Sequence, residues 1–187
     1  MYPRRVLQFC LAAMLFAVAG GQSAEARQWR TTPQAAANDY LIITDGRAAN
    51  DIVLLMWMAS PLMPPNADET ARKFLDQYVI VGVAHMHVSP GGEATFDTIP
   101  ALTASTSSQP ALKAISPADM PPRLQGLSVV LTGAFKQALG HFGDGTKWFY
   151  FESAGVDPCK SGRLSIPYDG ETYTFDLPVP GCAGVTR

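Results

Sequence analysis

Cysteine is scarce in this sequence, and so are the patterns that would give it chemistry. There are three cysteines, Cys10, Cys159 and Cys182, in no Cys-x-x-Cys pair, which removes the usual redox motif. Charge is sparse as well: Asp, Glu, Lys and Arg make up 16% of the chain, and Lys and Arg form no cluster, so no nucleic-acid partner is expected. No Gly-x-Ser-x-Gly occurs, and Ser153, between Glu152 and Ala154, lacks the flanking glycines of a nucleophile elbow. Gly91 and Gly92 lead into a strand-like segment instead of a helix, so they form no phosphate-cradling loop. Beyond the start of the chain no apolar run approaches the ~20 residues of a membrane span, and no solenoid-type repeat is present.

What the chain does have begins at its N-terminus. Arg4 and Arg5 precede an apolar run from Val6 to Gly20, and the small-residue exit at Ala24 and Ala26 follows. These are the three parts of a secretory signal peptide, so residues 1–26 are expected to be cleaved and the mature protein to lie in a periplasm or outside the cell. Pro3 and Leu7 around the arginine pair match a twin-arginine signal only in part, which favours the general secretory route. Of 14 Lys and Arg and 16 Asp and Glu, Arg4, Arg5 and Glu25 leave with that segment; 12 against 15 remain, a formal charge of −3. Cys10 leaves too. In an oxidising compartment the remaining pair, Cys159 and Cys182, is expected to form a disulfide, which closes a loop of about two dozen residues and is worth roughly 3 kcal/mol.

Residues 27–39 are polar and read as an N-terminal arm, and residues 40–187 as a single domain. Residues 40–44 form a short strand ended by Asp45 and Gly46, and the uniform apolar run Ile52–Met58 reads as a strand buried on both faces. Asn66, with Glu69 three residues on, predicts a helix over about 67–77 that buries Ala71, Phe74, Leu75 and Tyr78. Tyr78–Val88 and Glu93–Asp97, joined through Ser89–Gly92, read as a hairpin whose first strand is central and covered on both sides. After a connection at 101–118, Pro121 and Pro122 open a second helix that Gly140 ends; its glycines Gly126 and Gly133 would suit close packing on a sheet. Lys147–Glu152 is an aromatic strand. Leu164–Tyr168, Asp169-Gly170 and Glu171–Phe175 form a hairpin in which Leu164 faces Phe175 and Ile166 faces Tyr173, with the cysteines at its base. The sum is an α+β domain, a mainly antiparallel sheet with two helices and one disulfide.

Three constellations could carry function. His85 and His87 share one face of a strand, where two imidazoles can reach one ion; Met86 between them or His141 would complete a copper or zinc site, and Met56, Met58, Met63 and Met120 would suit copper(I). In the glycine-rich loop after the second helix, His141 and Asp144 could do acid–base work for a hydrolase. Trp148, Phe149, Tyr150 and Phe151 must present two aromatics to each face of a sheet, and an uncovered face would be a binding surface. With an export signal, a staple and no catalytic motif, the leading expectation is a non-enzymatic accessory or binding protein of unknown ligand, with another envelope protein as a candidate partner. A periplasmic copper- or zinc-binding protein is the alternative, and a hydrolase the weaker one. Apart from that metal, no cofactor is expected.

Overall fold

In a computed structural model the protein is described over residues 42–43, 50–63, 66–179 and 182, without the side chains of 42, 43, 139, 141 and 142. The proposed signal peptide and the arm at 27–39 lie outside these residues. The strands are β1 (Ile42–Ile43), β2 (Asp51–Trp57), β3 (Tyr78–Val88), β4 (Ala94–Phe96), β5 (Ser105–Thr106), β6 (Lys147–Glu152), β7 (Gly162–Tyr168) and β8 (Glu171–Leu177). The helices are α1 (Glu69–Leu75), α2 (Pro122–Leu139) and a single turn, α3 (His141–Asp144). None of the described helices is long and apolar enough to cross a membrane.

β3 organises the molecule. Of its 11 residues Val81–His87 pair antiparallel with β2 along one edge, while β6 and β4 divide the other, β6 along Tyr78–Val83 and β4 along Met86–Val88. β1 extends the sheet beyond β2, and β5, β7 and β8 form a separate three-stranded antiparallel sheet. Apolar residues on both faces of β2, β3 and β6 require cover on both sides, and the fold supplies two kinds. Odd-numbered Val53, Leu55, Trp57, Val79, Val81, Val83 and Phe151 pack against Leu164, Ile166, Tyr173 and Phe175 of the small sheet, with the rings of Trp57 and Phe175 5.9 Å apart. Even-numbered Leu54, Met56, Ile80, Ala84, Trp148 and Tyr150 pack under Phe74 and Leu75 of α1 and Leu124 and Leu131 of α2. The layers are therefore helices, large sheet and small sheet, an α+β domain.

Most local readings match these elements, and two differ instructively. α1 is capped by Asp68 in place of Asn66, because it is the Asp68 carboxylate that accepts from Ala71 N, at 3.0 Å, and so satisfies a first-turn amide two residues later than expected. On α2, a Cβ built at Gly126 or Gly133 meets nothing within 4 Å, so these glycines do not serve close packing on the sheet. Within the large sheet a close approach is at Gly82, where a Cβ would come within 2.8 Å of the Trp148 ring, and still closer ones are at Gly143 and Gly145 beyond α2. Cys159 and Cys182 are disulfide-bonded, and the β7–β8 register pairs Leu164 with Phe175 and Ile166 with Tyr173.

Candidate metal centre

His85 and His87 stand on the β3 face that packs toward the small sheet, at the end of the strand where the core gives way to solvent. The β2–β3 register puts Val53 beside His85 and Asp51 beside His87, so the first residue of β2 brings a carboxylate to the same face. From the other edge, Asp97 N donates to His85 O at 2.9 Å, which places Asp97 one step past the paired part of β4 and opposite His85. Tyr168, at the end of β7, reaches across from the small sheet and meets the His85 ring edge-on, with centroids 5.6 Å apart.

The side chains converge closely. Asp51 Oδ1 is 2.6 Å from His85 Nε2 and 3.5 Å from His87 Nδ1, and the ligand atoms of Asp51, His85 and His87 all lie within 4.8 Å of one another. The two imidazole centroids are 4.7 Å apart. The His85 side chain is 5% exposed, whereas those of Asp51 and His87 are 24% and 42% exposed, so the cluster has a dry floor and a mouth open to water. Around a tetrahedral zinc ion with bonds near 2.0–2.1 Å, ligand atoms sit about 3.3 Å apart. The Asp51–His87 distance suits this geometry, and the Asp51–His85 contact is about 0.7 Å shorter than it requires. Three such donors leave a fourth position for water or an incoming ligand.

The donor set differs from the sequence expectation in its third member. Met86 is not on this side: it is 2% exposed, and strand alternation turns it to the helix-covered face. Met56 is buried among the residues under the helices, and Met58, Met63 and Met120 pack against the same cluster, so these thioethers fill core. Asp51, and not Met86, stands beside the two histidines. The His141 side chain lies outside the described residues, and Asp144 is ion-paired with Lys136 at 2.7 Å.

On the aromatic strand an uncovered face was one alternative and cover on both faces the other. Trp148, Tyr150 and Phe151 are buried and Phe149 is half-buried against the core, so β6 is covered on both faces and offers no exposed aromatic surface. Burial pushes the Tyr150 phenol above its ordinary pKa, against a smaller downward pull from Ser128. Tyr150 Oη still falls outside hydrogen-bond limits, so Ser128 is a neighbour and not a bonded partner. Among the described residues the large apolar side chains left in solvent are Val129 and Val130 on α2. A polar cavity of about 380 Å³ opens beside the disulfide, between Ser60, Asp76, Asp157 and Lys160, and no histidine lines it.

Sequence reading misses Asp51 and Asp97 for different reasons. Asp97 carried a legible signal, because extending the β3–β4 hairpin register by one pair sets it against His85. Asp51 did not, since only the pairing of two strands separated by a helix brings it to His87. The chain matches no known family model, no curated protein and no solved structure.

Proposed function

We propose that this is an exported binding protein that holds a divalent transition-metal ion, of the zinc and copper(II) class, through Asp51, His85 and His87. The observation that carries the reading is Asp51 Oδ1 facing one nitrogen of each histidine, with the three donor atoms within 4.8 Å of one another, His85 buried and Asp51 and His87 partly open to water. Imidazole and carboxylate donors suit zinc and copper(II). Copper(I) would ask for sulfur, and the methionines lie in the opposite core. Export rests on the signal-like segment at residues 1–26 and is compatible with the Cys159–Cys182 bond.

The test is metal content by mass spectrometry on untagged protein purified from a periplasm, followed by zinc and copper(II) titration. One ion per chain, lost in the His85→Ala/His87→Ala variant, is the expected result, with an intact mass beginning at Arg27. Metal-free protein with no affinity for either ion tighter than ~10⁻⁵ M, about −7 kcal/mol of binding, would overturn the reading.

A further inference from the structure

A histidine that binds an ion through one ring nitrogen needs its other nitrogen held, or the ring turns and the wrong tautomer competes. In this cluster each imidazole shows one nitrogen to Asp51 and the other to Asp97. His85 Nε2 and His87 Nδ1 face Asp51 Oδ1, while His85 Nδ1 and His87 Nε2 lie 3.0 and 3.2 Å from a single atom, Asp97 Oδ2. Tyr168 Oη is also 3.0 Å from His85 Nδ1. The two histidines thus present opposite nitrogens, Nε2 and Nδ1, to the same carboxylate. In water each ring would exchange freely between tautomers, and a shared acceptor on the far side removes that freedom from both at once.

We infer that Asp97 and Tyr168 are positioning residues for the ion: Asp97 accepts the N–H of both His85 Nδ1 and His87 Nε2, Tyr168 Oη lies against the first, and the ion, displacing to water the proton that joins His85 Nε2 to Asp51 Oδ1 at 2.6 Å, takes the lone pairs of His85 Nε2 and His87 Nδ1. The inference rests on the metal reading above. It assigns the ion to the Asp51 side, where three ligand atoms cluster within 4.8 Å, and gives Asp97, 47% exposed, the outer role. It also gives the small sheet a part in binding, because Tyr168 comes from β7 and every other member of the cluster from the large sheet or its β4 end.

The experiment is competition titration with zinc alone and copper(II) alone on wild type, Asp97→Ala, Asp97→Asn and Tyr168→Phe, with electron paramagnetic resonance of the copper forms and circular dichroism of the metal-free forms. Asp97→Ala is expected to weaken both ions about 10–100-fold and Tyr168→Phe up to about tenfold. Asp97→Asn should recover part of the loss, since its amide oxygen still accepts a hydrogen bond. Nitrogen hyperfine structure from two imidazoles should persist in all three variants, which a merely unfolded or loosened protein would not show. Wild-type affinity in Asp97→Ala overturns the inference alone, and so does a copper spectrum whose donor set changes in that variant, which would make Asp97 a ligand. Wild-type protein that takes up neither ion overturns the metal reading and this inference together.

Discussion

Gly82 is a residue whose missing side chain decides packing. It pairs with Trp148 on one side and Met56 on the other, and a Cβ there would lie 2.8 Å from the indole and 3.0 Å from Met56 Cγ. Neither neighbour has room to move, because both are buried under the helices. Gly82→Ala is therefore expected to destabilise the protein by about 1–3 kcal/mol, the usual result of overpacking, as read from urea denaturation; an unchanged midpoint would mean that the indole can shift. Asp157 acts at the same scale through charge. Its carboxylate accepts from Cys159 N at 2.9 Å and pairs with Lys160 at 3.1 Å, and these contacts, the backbone bond first, hold its pKa below the ordinary 3.8. A carboxyl group with a lowered folded-state pKa stabilises the fold above its unfolded-state value and loses that contribution as pH falls through the folded one. Asp157→Asn should melt below wild type at pH 7, and the difference should shrink as pH drops below 3.8. Equal melting at both pH values would show that the contact contributes nothing.

At the scale of elements, the β7–β8 hairpin combines the strongest local signals with the longest-range staple. Asp169, at φ 47°, and Gly170, at φ 79°, make the tight turn, and alternation places Leu164, Ile166, Tyr173 and Phe175 on the buried side. Beyond the open end the disulfide joins residues 23 apart in sequence and ties the segment after β8 to the turn before β7. Cys159→Ser is expected to cost about 2–5 kcal/mol, because the unfolded chain regains the freedom of the open loop. Unchanged melting of that variant under non-reducing conditions would show that the bridge is absent or idle. The same hairpin carries Tyr168, so its loosening should also weaken the ion.

At the scale of the molecule, the ligands come from β2 and β3, so an ion there would clamp those two strands together at their solvent end, with Tyr168 of the small sheet resting against His85. A ligand that binds only the folded chain stabilises it by about 2.7 kcal/mol at 100 times its Kd. Saturating zinc is accordingly expected to raise Tm in differential scanning fluorimetry, and a chelator to reverse the rise. A Tm indifferent to zinc would count against the clamp.

Much of the architecture was legible from local pattern. Periodicity marked both helices, and continuous apolar or aromatic runs marked the two-sided strands 52–58 and 78–88 and the strand 147–152; Asp169-Gly170 set the second hairpin's register, and two cysteines left one possible pairing. These follow from short-range sterics and from the side-chain period of each element, which the chain writes residue by residue. Tertiary structure alone decided which faces were covered: the same Trp148–Phe151 pattern serves an exposed platform or a core strand, and only the packing of helices on one side and a second sheet on the other made it core. The candidate site was half legible in the same way. His85 and His87 share a face by alternation, but Asp51 joins them through a strand pairing 36 residues away along the chain and Tyr168 through contact between two sheets, and such distances are set by the fold as a whole.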